Sequence, residues 1–398
     1  MQGYRRCRKP PYCILAVAAA PAAARAAARV YRGDEDGMAT IPLTAVTRTS
    51  LEQFTVATLR ALGLSDEDAA LFGGALVFSE LRFHPGHGQG VKRLRRYQHR
   101  IAQRLTDPAA PLEVVKESPA LALLDAHNGL GTVAAAKAMR MAIGKARTCG
   151  IGTVIVRHST HFGSSAVHAC QAAEAGCIGL AFTNAGPEMA PWGAREGAVG
   201  TNPWGLAAPT GMGFPAVLDI ALTTAGKGMM QWRAREGQPM PRDWALTPEG
   251  HETDDPHAAM TGALLGIGAY KGSGLAFMTD VLTGVIGGGG YGLMPYADQG
   301  RLDVSHTLMA IDISWFMPLD EFRKRMDDFA GMIKSRAPRP GVSEILIPGE
   351  LEARRVALKS AVGVPLDDEV VADLDALGRE LGVHESLVRV GPWREPAL

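Results

Sequence analysis

The spacing of apolar residues predicts helices near both ends of the chain. After Ser50, which stands at an N-cap position, SLEQFTVATLRALGL repeats apolar residues every three or four positions, as an amphipathic helix does. Ser65 opens a second helix with acidic residues in its first turn, where the helix dipole favours negative charge. Further helices are predicted at Val91–Leu105, Thr132–Ala146, Ser164–Ala175, Thr223–Arg235, Asp320–Ser335, Glu350–Ala361 and Asp367–Leu381.

Short apolar runs in the middle of the chain predict strands. They lie at Leu121–Ala126, Gly152–Val156, Ile178–Thr183, Gly205–Ala208, Ala216–Ile220 and Leu308–Ile313. Gly274–Ile286 is apolar nearly all round, which predicts a buried helix ended by the glycines at 287–290. Pro239–Pro256 reads as an open loop.

Composition excludes several classes of protein. Lys and Arg total 41 and Asp and Glu total 41, so no net charge attracts nucleic acid or an anionic membrane. No apolar run reaches the roughly 18 residues needed to span a bilayer. The five cysteines show neither metal-type nor disulfide-type spacing, which favours a reduced, cytoplasmic compartment.

Residues 1–37 differ from the rest because they are rich in Ala and Arg. We expect a disordered leader or a mis-assigned start, with Met38 as the true beginning. The element pattern then predicts a helical domain from residues 38–118 plus 319–398, and a cofactor-binding and catalytic domain from residues 119–318.

Candidate chemistry gathers where strands end. His161 follows a predicted strand in the segment HSTHFG, and the pKa of an imidazole near neutrality suits it to acid–base work. Asp219 emerges from an apolar strand, where a carboxylate needs a cationic or hydrogen-bonding partner. Lys271, between Gly268 and Gly272 at a helix start, suits a pyrophosphate, since backbone N–H groups and ammonium both favour anions.

Four motifs together resemble the malate/L-lactate dehydrogenase family of the second type. They are HxxHFG, TNAGP at 183–187, GTNP at 200–203 and YKGSGLAFMTDVL at 270–282. The resemblance implies an NAD- or NADP-dependent oxidoreductase that interconverts a small 2-hydroxy acid and its 2-oxo acid. It also implies an α/β fold with a largely antiparallel central sheet, and a homodimer whose site lies near the subunit interface. No GxGxxG follows a strand, in keeping with a non-Rossmann cofactor fold.

The resemblance also assigns roles to residues of this chain. His161 would be the acid/base, Arg93 would hold the substrate carboxylate, and His87 and Asp219 would orient groups. Tyr97 lies four residues after Arg93 and therefore on the same helical face. It would bind substrate together with Arg93 and His87. The implied cofactor contacts are Asn184, Ala185, Asn202, Asp219, Ile220, Ala221, Lys227 and Lys271.

This chain departs from the family pattern before Arg93. Gly86 replaces a serine, and Gln89–Gly90 reads as an insertion after His87. The departure leaves open a non-catalytic relative, and the family also leaves open a reductase of cyclic imino acids. A metal-dependent hydrolase is the alternative from another class, with His84, His87, His158 and His161 as candidate ligands.

Overall fold

A seven-stranded β-sheet occupies the middle of the chain in the computed structural model, which describes residues 41–298 and 300–393. Its strand order is β2-β3-β4-β8-β5-β6-β7. Strands β3 and β4 run parallel, and the other neighbours in this sheet are antiparallel. The predicted α/β class with a largely antiparallel sheet is confirmed. The leader predicted at residues 1–37 lies outside the described residues.

The elements have the following bounds. The strands are β1 Leu43–Val46, β2 Glu113–Glu117, β3 Leu121–Asp125, β4 Ile151–Ser159, β5 Cys177–Thr183, β6 Trp204–Ala208, β7 Ala216–Ile220, β8 Val304–Asp312, β9 Val364–Asp367 and β10 Arg389–Pro392. The helices are α1 Arg48–Ala61, α2 Asp66–Arg82, α3 Leu94–Ala102, α4 Gly131–Cys149, α5 Ser165–Glu174, α6 Lys227–Glu236, α7 Pro256–Thr261, α8 Tyr270–Asp280, α9 Leu319–Lys334, α10 Glu350–Val362 and α11 Asp368–Leu381.

The predicted elements are present, with corrections at their ends. Helix α1 begins earlier than predicted because Thr47, not Ser50, is its N-cap and accepts a hydrogen bond from the Ser50 N–H. A 3-10 turn at Val91–Arg93 precedes α3, and α6 begins only at Lys227. The pattern missed the short strands β1, β2, β9 and β10, since four or five residues carry little periodicity.

Both ends of the chain contribute to one helical core. Phe54 of α1 and Leu76 of α2 share a buried apolar cluster with Leu374 and Leu377 of α11. A small sheet of order β10-β1-β9 joins the two ends. Strand β2 begins at residue 113 and belongs to the central sheet. The division into two domains at 118/119 stays a prediction.

The prediction of a buried helix at Gly274–Ile286 is wrong for the single chain. The segment forms α8 followed by a π-helical turn at Val281–Val285, and one side packs on the central sheet. Its other side is uncovered, with Phe277 62% and Ile286 64% exposed. An all-round apolar sequence predicts that a helix is covered, but not that the same chain covers it. No helix of the described residues has the length and apolar character needed to cross a bilayer.

Close packing against α4 fixes the position of β4, the strand that leads to the candidate site. A Cβ added at Gly152 of β4 would lie 2.0 Å from the Ala142 carbonyl oxygen of α4. Only a residue without a side chain therefore fits between strand and helix at this point.

We expect Gly152→Ala to lower the free energy of unfolding by at least about 2 kcal/mol, because the strand must move away from α4. Urea denaturation measures the change. The matched control is Gly144→Ala within α4, where a Cβ would meet nothing within 4 Å. Removing glycine from a helix interior should stabilise that variant by up to about 1 kcal/mol. Equal stabilities of the two variants would contradict the packing argument.

Candidate active site

His161 lies in the turn between β4 and α5. Its neighbour Phe162 is 1% exposed and stacks on the His306 ring at 4.8 Å between centroids. Gly163 has φ +85°, a conformation that favours glycine and that turns the chain into α5. The buried phenylalanine and the glycine turn together fix the direction of the His161 side chain.

The buried histidines behind this turn are held neutral. His168 donates from Nε2 to the Phe162 carbonyl oxygen at 2.9 Å. His306 hydrogen-bonds Thr183 at 2.7 Å and Ser159 at 2.9 Å, one through each ring nitrogen. Burial lowers the pKa of His168 to about 4 and that of His306 to about 3. These rings therefore support the turn and do not titrate near neutral pH.

The hydrogen bonds of His161 define its tautomer. Its Nδ1 lies 3.2 Å from the Gly163 N–H and 3.1 Å from the Tyr97 hydroxyl. A backbone N–H can only donate, so Nδ1 is the acceptor and the neutral ring carries its proton on Nε2. Burial, followed by the charges of Arg93, Arg100 and Arg96, lowers the pKa of His161 well below its usual value. The ring is therefore neutral without a ligand.

A cavity of about 430 Å³ opens beside His161. Its wall is basic: Arg93, Arg96 and Arg100 line it together with Gln89 and Tyr296. The loop at 183–188 after β5 forms the opposite side. An imidazole that carries a proton thus faces a space bordered by guanidinium groups, which suits an anionic ligand.

A second cavity, of about 600 Å³, adjoins the first. His87, Asp219, Ala221 and Lys227 line it, and the beginning of α6 opens onto it. The two cavities share several wall residues, among them Gln89, Arg93, Gly163, Glu188, Thr201 and Pro203. Together they form one continuous cleft that has His161 in one half and Asp219 in the other.

Comparisons with known proteins agree with this architecture. A sequence profile described as malate/L-lactate dehydrogenase matches residues 46–375. The chain belongs to the malate/L-lactate dehydrogenase family. It is 35% identical to a malate dehydrogenase of Pyrococcus abyssi over 85% of this chain and 95% of that protein. It is 32% identical to an L-sulfolactate dehydrogenase of Methanocaldococcus jannaschii over 82% of this chain and 94% of that protein.

A solved structure shows the same fold. The malate dehydrogenase of Pyrococcus horikoshii superposes with a TM-score of 0.79 at 32% identity, covering 89% of this chain and all of that one. The resemblance predicted from the motifs is therefore confirmed. As a member of this dehydrogenase family, the protein is an NAD(P)-dependent oxidoreductase that acts on hydroxy acids.

Arg93, Tyr97 and His87 occupy different parts of the dehydrogenase cleft. Arg93 lines both cavities, and its Nε donates to the Gly88 carbonyl oxygen at 2.7 Å. Tyr97 is 2% exposed and lies behind the His161 ring, where burial raises the pKa of its hydroxyl. His87 lines the second cavity and stacks on Phe83. Burial among neighbouring residues, followed by the charge of Arg93, lowers the pKa of His87. One side of the ring stays open to solvent through the cavity.

Asp219 belongs to β7, and its carboxylate lies at the beginning of α5, outside the cavity that contains His161. Its carboxylate accepts a hydrogen bond from the Ala166 N–H at 3.0 Å. Burial raises the pKa of this carboxyl to about 6, although the hydrogen bond favours the charged form. Asp219 thus supports α5 while facing the second cavity.

Of the other predicted cofactor residues, some line one of the two cavities and some line neither. Ala185 lines the first cavity, whereas Ala221 and Lys227 line the second, and Lys227 lies 3.5 Å from the Glu188 carboxylate. Ile220 packs against an apolar cluster, and Lys271 is exposed at the start of α8.

The side chains of Asn184 and Asn202 are occupied within the protein. Asn184 donates to Asp280 at 3.1 Å and to the Gly290 carbonyl oxygen at 2.7 Å. Asn202 accepts from the Ala185 N–H at 2.9 Å. No comparison tests the site residues, so their roles stay predictions.

Sequence reasoning missed Gln89, Arg96 and Arg100. Gln89 reads as part of an insertion, yet it lines both cavities and its Oε1 is buried without a partner among the described residues. Arg96 reads as part of a solvated basic face with Lys92 and Arg95, and Arg100 is not singled out. The spacing of Arg96 and Arg100 from Arg93, three and seven residues, places them on its side of α3 and is the signal that could have found them.

The structure gives no support to the metal-dependent hydrolase. His158 is bound to the Asp125 carboxylate at 2.8 Å, outside both cavities. His84 accepts a hydrogen bond from the Gly86 N–H. Within residues 41–298 and 300–393, no three His, Cys, Asp or Glu side chains come together as a metal site would require.

The raised pKa of the Asp219 carboxyl can be tested through the pH dependence of stability. Its pKa of about 6 exceeds the value of about 4 in an unfolded chain, so the folded protein binds more protons between these pH values. The stability that this carboxyl contributes is therefore full below pH 4 and is lost as the pH rises through 6. We expect the free energy of unfolding to fall less between pH 4 and pH 7 in Asp219→Asn than in the wild type, as measured by urea denaturation.

The matched control is Glu196→Gln, since the side chain of Glu196 is 76% exposed. Its pH dependence should follow that of the wild type. Parallel curves for Asp219→Asn and the wild type would show that the Asp219 carboxyl has an ordinary pKa.

Proposed function

We propose that the protein interconverts a small 2-hydroxy acid and its 2-oxo acid, with His161 exchanging the proton on the substrate oxygen. The single observation that carries this proposal is the neutral His161 ring, protonated on Nε2, in a cavity lined by Arg93. Acid–base chemistry and recognition of a carboxylate then meet in one space. A reductase of cyclic imino acids would use the same pair of residues on a C=N bond.

Charge compensation explains how His161 would work near neutral pH. Burial, and after it the charges of the arginines, hold the pKa of His161 low, so the free enzyme has little imidazolium. A substrate carboxylate beside Arg93 would cancel part of that positive charge and raise the pKa of the ring. The Tyr97 hydroxyl, at 3.1 Å from Nδ1, keeps the ring oriented during the exchange.

Arg93 is the residue we assign to the substrate carboxylate. Its Nε is fixed by the Gly88 carbonyl oxygen, and its position on the wall of both cavities places the guanidinium at their junction. A planar guanidinium binds a carboxylate through two parallel hydrogen bonds, which also orients the adjoining carbon. His87 lines the second cavity, into which the proposed substrate site continues.

The donors of the second cavity fit a dinucleotide on a frame other than the Rossmann fold. The α6 N-terminus and the Lys227 ammonium offer backbone N–H groups and positive charge for phosphates, and Asp219 offers an acceptor for hydroxyl groups. When bound, a reduced nicotinamide supplies hydride to the substrate carbon. The family resemblance adds Asn184, Ala185, Asn202, Ile220, Ala221 and Lys271 to the proposed set of cofactor contacts.

Replacing His161 by Ala tests the proton exchange. We expect kcat to fall by roughly 10²- to 10⁴-fold, because general acid–base catalysis contributes about that much. Cofactor affinity, measured by quenching of protein fluorescence, should stay within about threefold. The assay follows reduced nicotinamide at 340 nm (about the maximum of its absorbance) with a series of 2-oxo acids.

The control is His251→Ala, because His251 is exposed and lines neither half of the cleft. Its kcat should equal that of the wild type. A comparable loss of kcat and of cofactor affinity in His161→Ala would instead make His161 a binding residue.

A homodimer with the site near the subunit interface is supported by the uncovered apolar face of α8. The face continues from α8 through the following π-helical turn and consists of Tyr270, Phe277, Met278, Leu282, Val285 and Ile286, each at least 40% exposed. Helix α8 ends at Asp280, whose carboxylate holds Asn184 and Asn202 behind the first cavity. A second copy on this face would therefore lie directly behind the loops of the cleft. We also assign the protein to the cytoplasm, from its cysteine usage.

Phe277→Glu should weaken the dimer, since an apolar interface does not accommodate an unpaired carboxylate. Sedimentation velocity at micromolar protein should show monomer for this variant and dimer for the wild type. The control Val115→Glu places the same charge on edge strand β2, where Val115 is 42% exposed. A wild-type monomer, or a Phe277→Glu dimer, would overturn the assigned interface.

A further inference from the structure

Gln89 is a polar side chain at the junction of the two cavities, and the proposed reaction leaves it without a role. It lines both the cavity that contains His161 and the second cavity. Its Oε1 atom is buried and has no hydrogen-bond partner among the described residues. A buried acceptor without a donor is unfavourable, and the terminal torsion of a glutamine side chain is broad. A rotation of the amide would therefore let a ligand in the cleft supply the missing donor.

The turn that carries this glutamine is held on both sides. After it, the Val91 N–H donates to Oε1 of Glu80 at 2.8 Å, and a Cβ at Gly90 would lie 1.9 Å from the same oxygen. Before it, the Gly88 carbonyl oxygen accepts from Nε of Arg93 at 2.7 Å. Glu80 is 9% exposed, so its carboxylate belongs to the packed interior. The inserted residues are thus anchored to the rest of the protein on either side of the glutamine.

Position 86 of the same turn has no room for a side chain. A Cβ at Gly86 would lie 2.9 Å from Cγ of Trp232, which belongs to α6 and is 9% exposed. The beginning of α6 opens onto the second cavity, so a shift of this helix would also change that cavity. The polar group that the turn brings to the wall shared by both cavities therefore comes from Gln89.

The chemistry of the junction favours a donor from the cofactor over one from the substrate. In the proposed function, the nicotinamide ring lies where the cavities meet, because the substrate oxygen is at His161 and the phosphates are beside α6. A 2-oxo acid has only acceptor atoms around its reacting carbon, and these suit the guanidinium groups of Arg93 and Arg96 on the shared wall. The carboxamide of nicotinamide has two N–H donors in both its oxidised and its reduced form. An amide oxygen on this wall matches that group.

We infer that Gln89 accepts a hydrogen bond through Oε1 from the carboxamide N–H of the nicotinamide, and so fixes the rotation of the ring beside the substrate. This inference rests on the proposed function and adds to it a cofactor contact from the inserted pair of residues. A hydrogen bond at the edge of the ring restricts its orientation, which hydride transfer to one carbon requires. The contact needs no substrate, so cofactor binding alone measures it.

The test compares reduced cofactors that differ in this one donor. In the 3-acetylpyridine analogue of NADH or NADPH, a methyl group replaces the NH₂ of the carboxamide. Calorimetry without substrate measures the affinity of the natural cofactor and its analogue, for whichever of NADH and NADPH binds more tightly. We expect the wild type to bind the natural cofactor about 3- to 10-fold more tightly than the analogue, the effect of one hydrogen bond between neutral groups.

Gln89→Met keeps the length of the side chain and removes the acceptor, so it should bind the two cofactors with affinities within about twofold of each other. Gln89→Glu keeps an acceptor oxygen and should retain the preference for the carboxamide. Each result is a ratio within one variant, so a general loss of stability does not imitate it. The matched control is Gln103→Met, because Gln103 is exposed and lines neither cavity, and it should show the wild-type ratio. A wild type without preference, or an unchanged ratio in Gln89→Met, would overturn the contact.

Substrate binding and turnover separate this inference from its alternatives. Lactate and propionate differ only in the 2-hydroxyl group. If Gln89→Met weakened lactate relative to propionate and kept the cofactor ratio, the donor would be the substrate hydroxyl, and the carboxamide contact would be rejected. Loss of the cofactor ratio in Gln89→Met of a protein that reduces no 2-oxo acid would retain the contact and reject the reaction. Turnover of 2-oxo acids with an unchanged cofactor ratio in that variant would retain the reaction and reject the contact.

Discussion

The complete burial of Phe162 is the constraint on which the site depends. Its ring packs on His306 at 4.8 Å, and its carbonyl oxygen accepts from His168 at 2.9 Å. Because Phe162 cannot move without opening the core between β4 and β8, the adjoining His161 has a fixed base. Burial lowers the pKa of the supporting imidazoles to about 3 and about 4, so they stay neutral near neutral pH. The position of His161 is therefore insensitive to pH, and only its own protonation state responds to ligands.

Helix α3 supplies groups that affect the protonation state of His161. It places Tyr97 against Nδ1 of His161 and borders the same cavity with arginines. The cations that would attract an anionic substrate are also those that lower the pKa of His161. Binding and protonation are thus coupled through one set of charges, since each negative charge delivered to the cavity makes imidazolium less costly. The charges of the recognition site therefore add to burial in keeping the pKa of His161 low in the free enzyme.

Local features of the site could be predicted from the sequence, and features made by distant residues could not. His161 follows a strand and precedes a helix in one continuous segment, and Arg93 and Tyr97 differ by one helical turn. Arg100, in contrast, is buried partly by Tyr296, which lies far along the chain, and no local pattern reports that contact. Gln89 carries no such signal in the sequence, and only the cleft shows that its side chain lines both cavities. The same limit explains why the exposed side of α8 was not predicted, because an apolar sequence does not indicate whether its own chain or another covers the helix.

The buried carboxylate of Asp280 holds the side chains of two asparagines beside the cleft. The Asn184 side-chain NH₂ group donates to Asp280 and to the Gly290 carbonyl oxygen, and its side-chain oxygen accepts from the Ser305 N–H at 2.8 Å. Asn202 donates to Asp280 and accepts from the Ala185 N–H, in a backbone conformation with φ +36°. Burial raises the pKa of the Asp280 carboxyl, and these amide donors oppose that rise. Backbone groups of the loop at 183–188 are also used internally, since the Asn184 N–H donates to the Ser305 carbonyl oxygen and the Glu188 N–H to the Gly186 carbonyl oxygen. With both amides occupied as well, recognition of an anionic ligand in this cavity would depend chiefly on the guanidinium groups of the opposite wall.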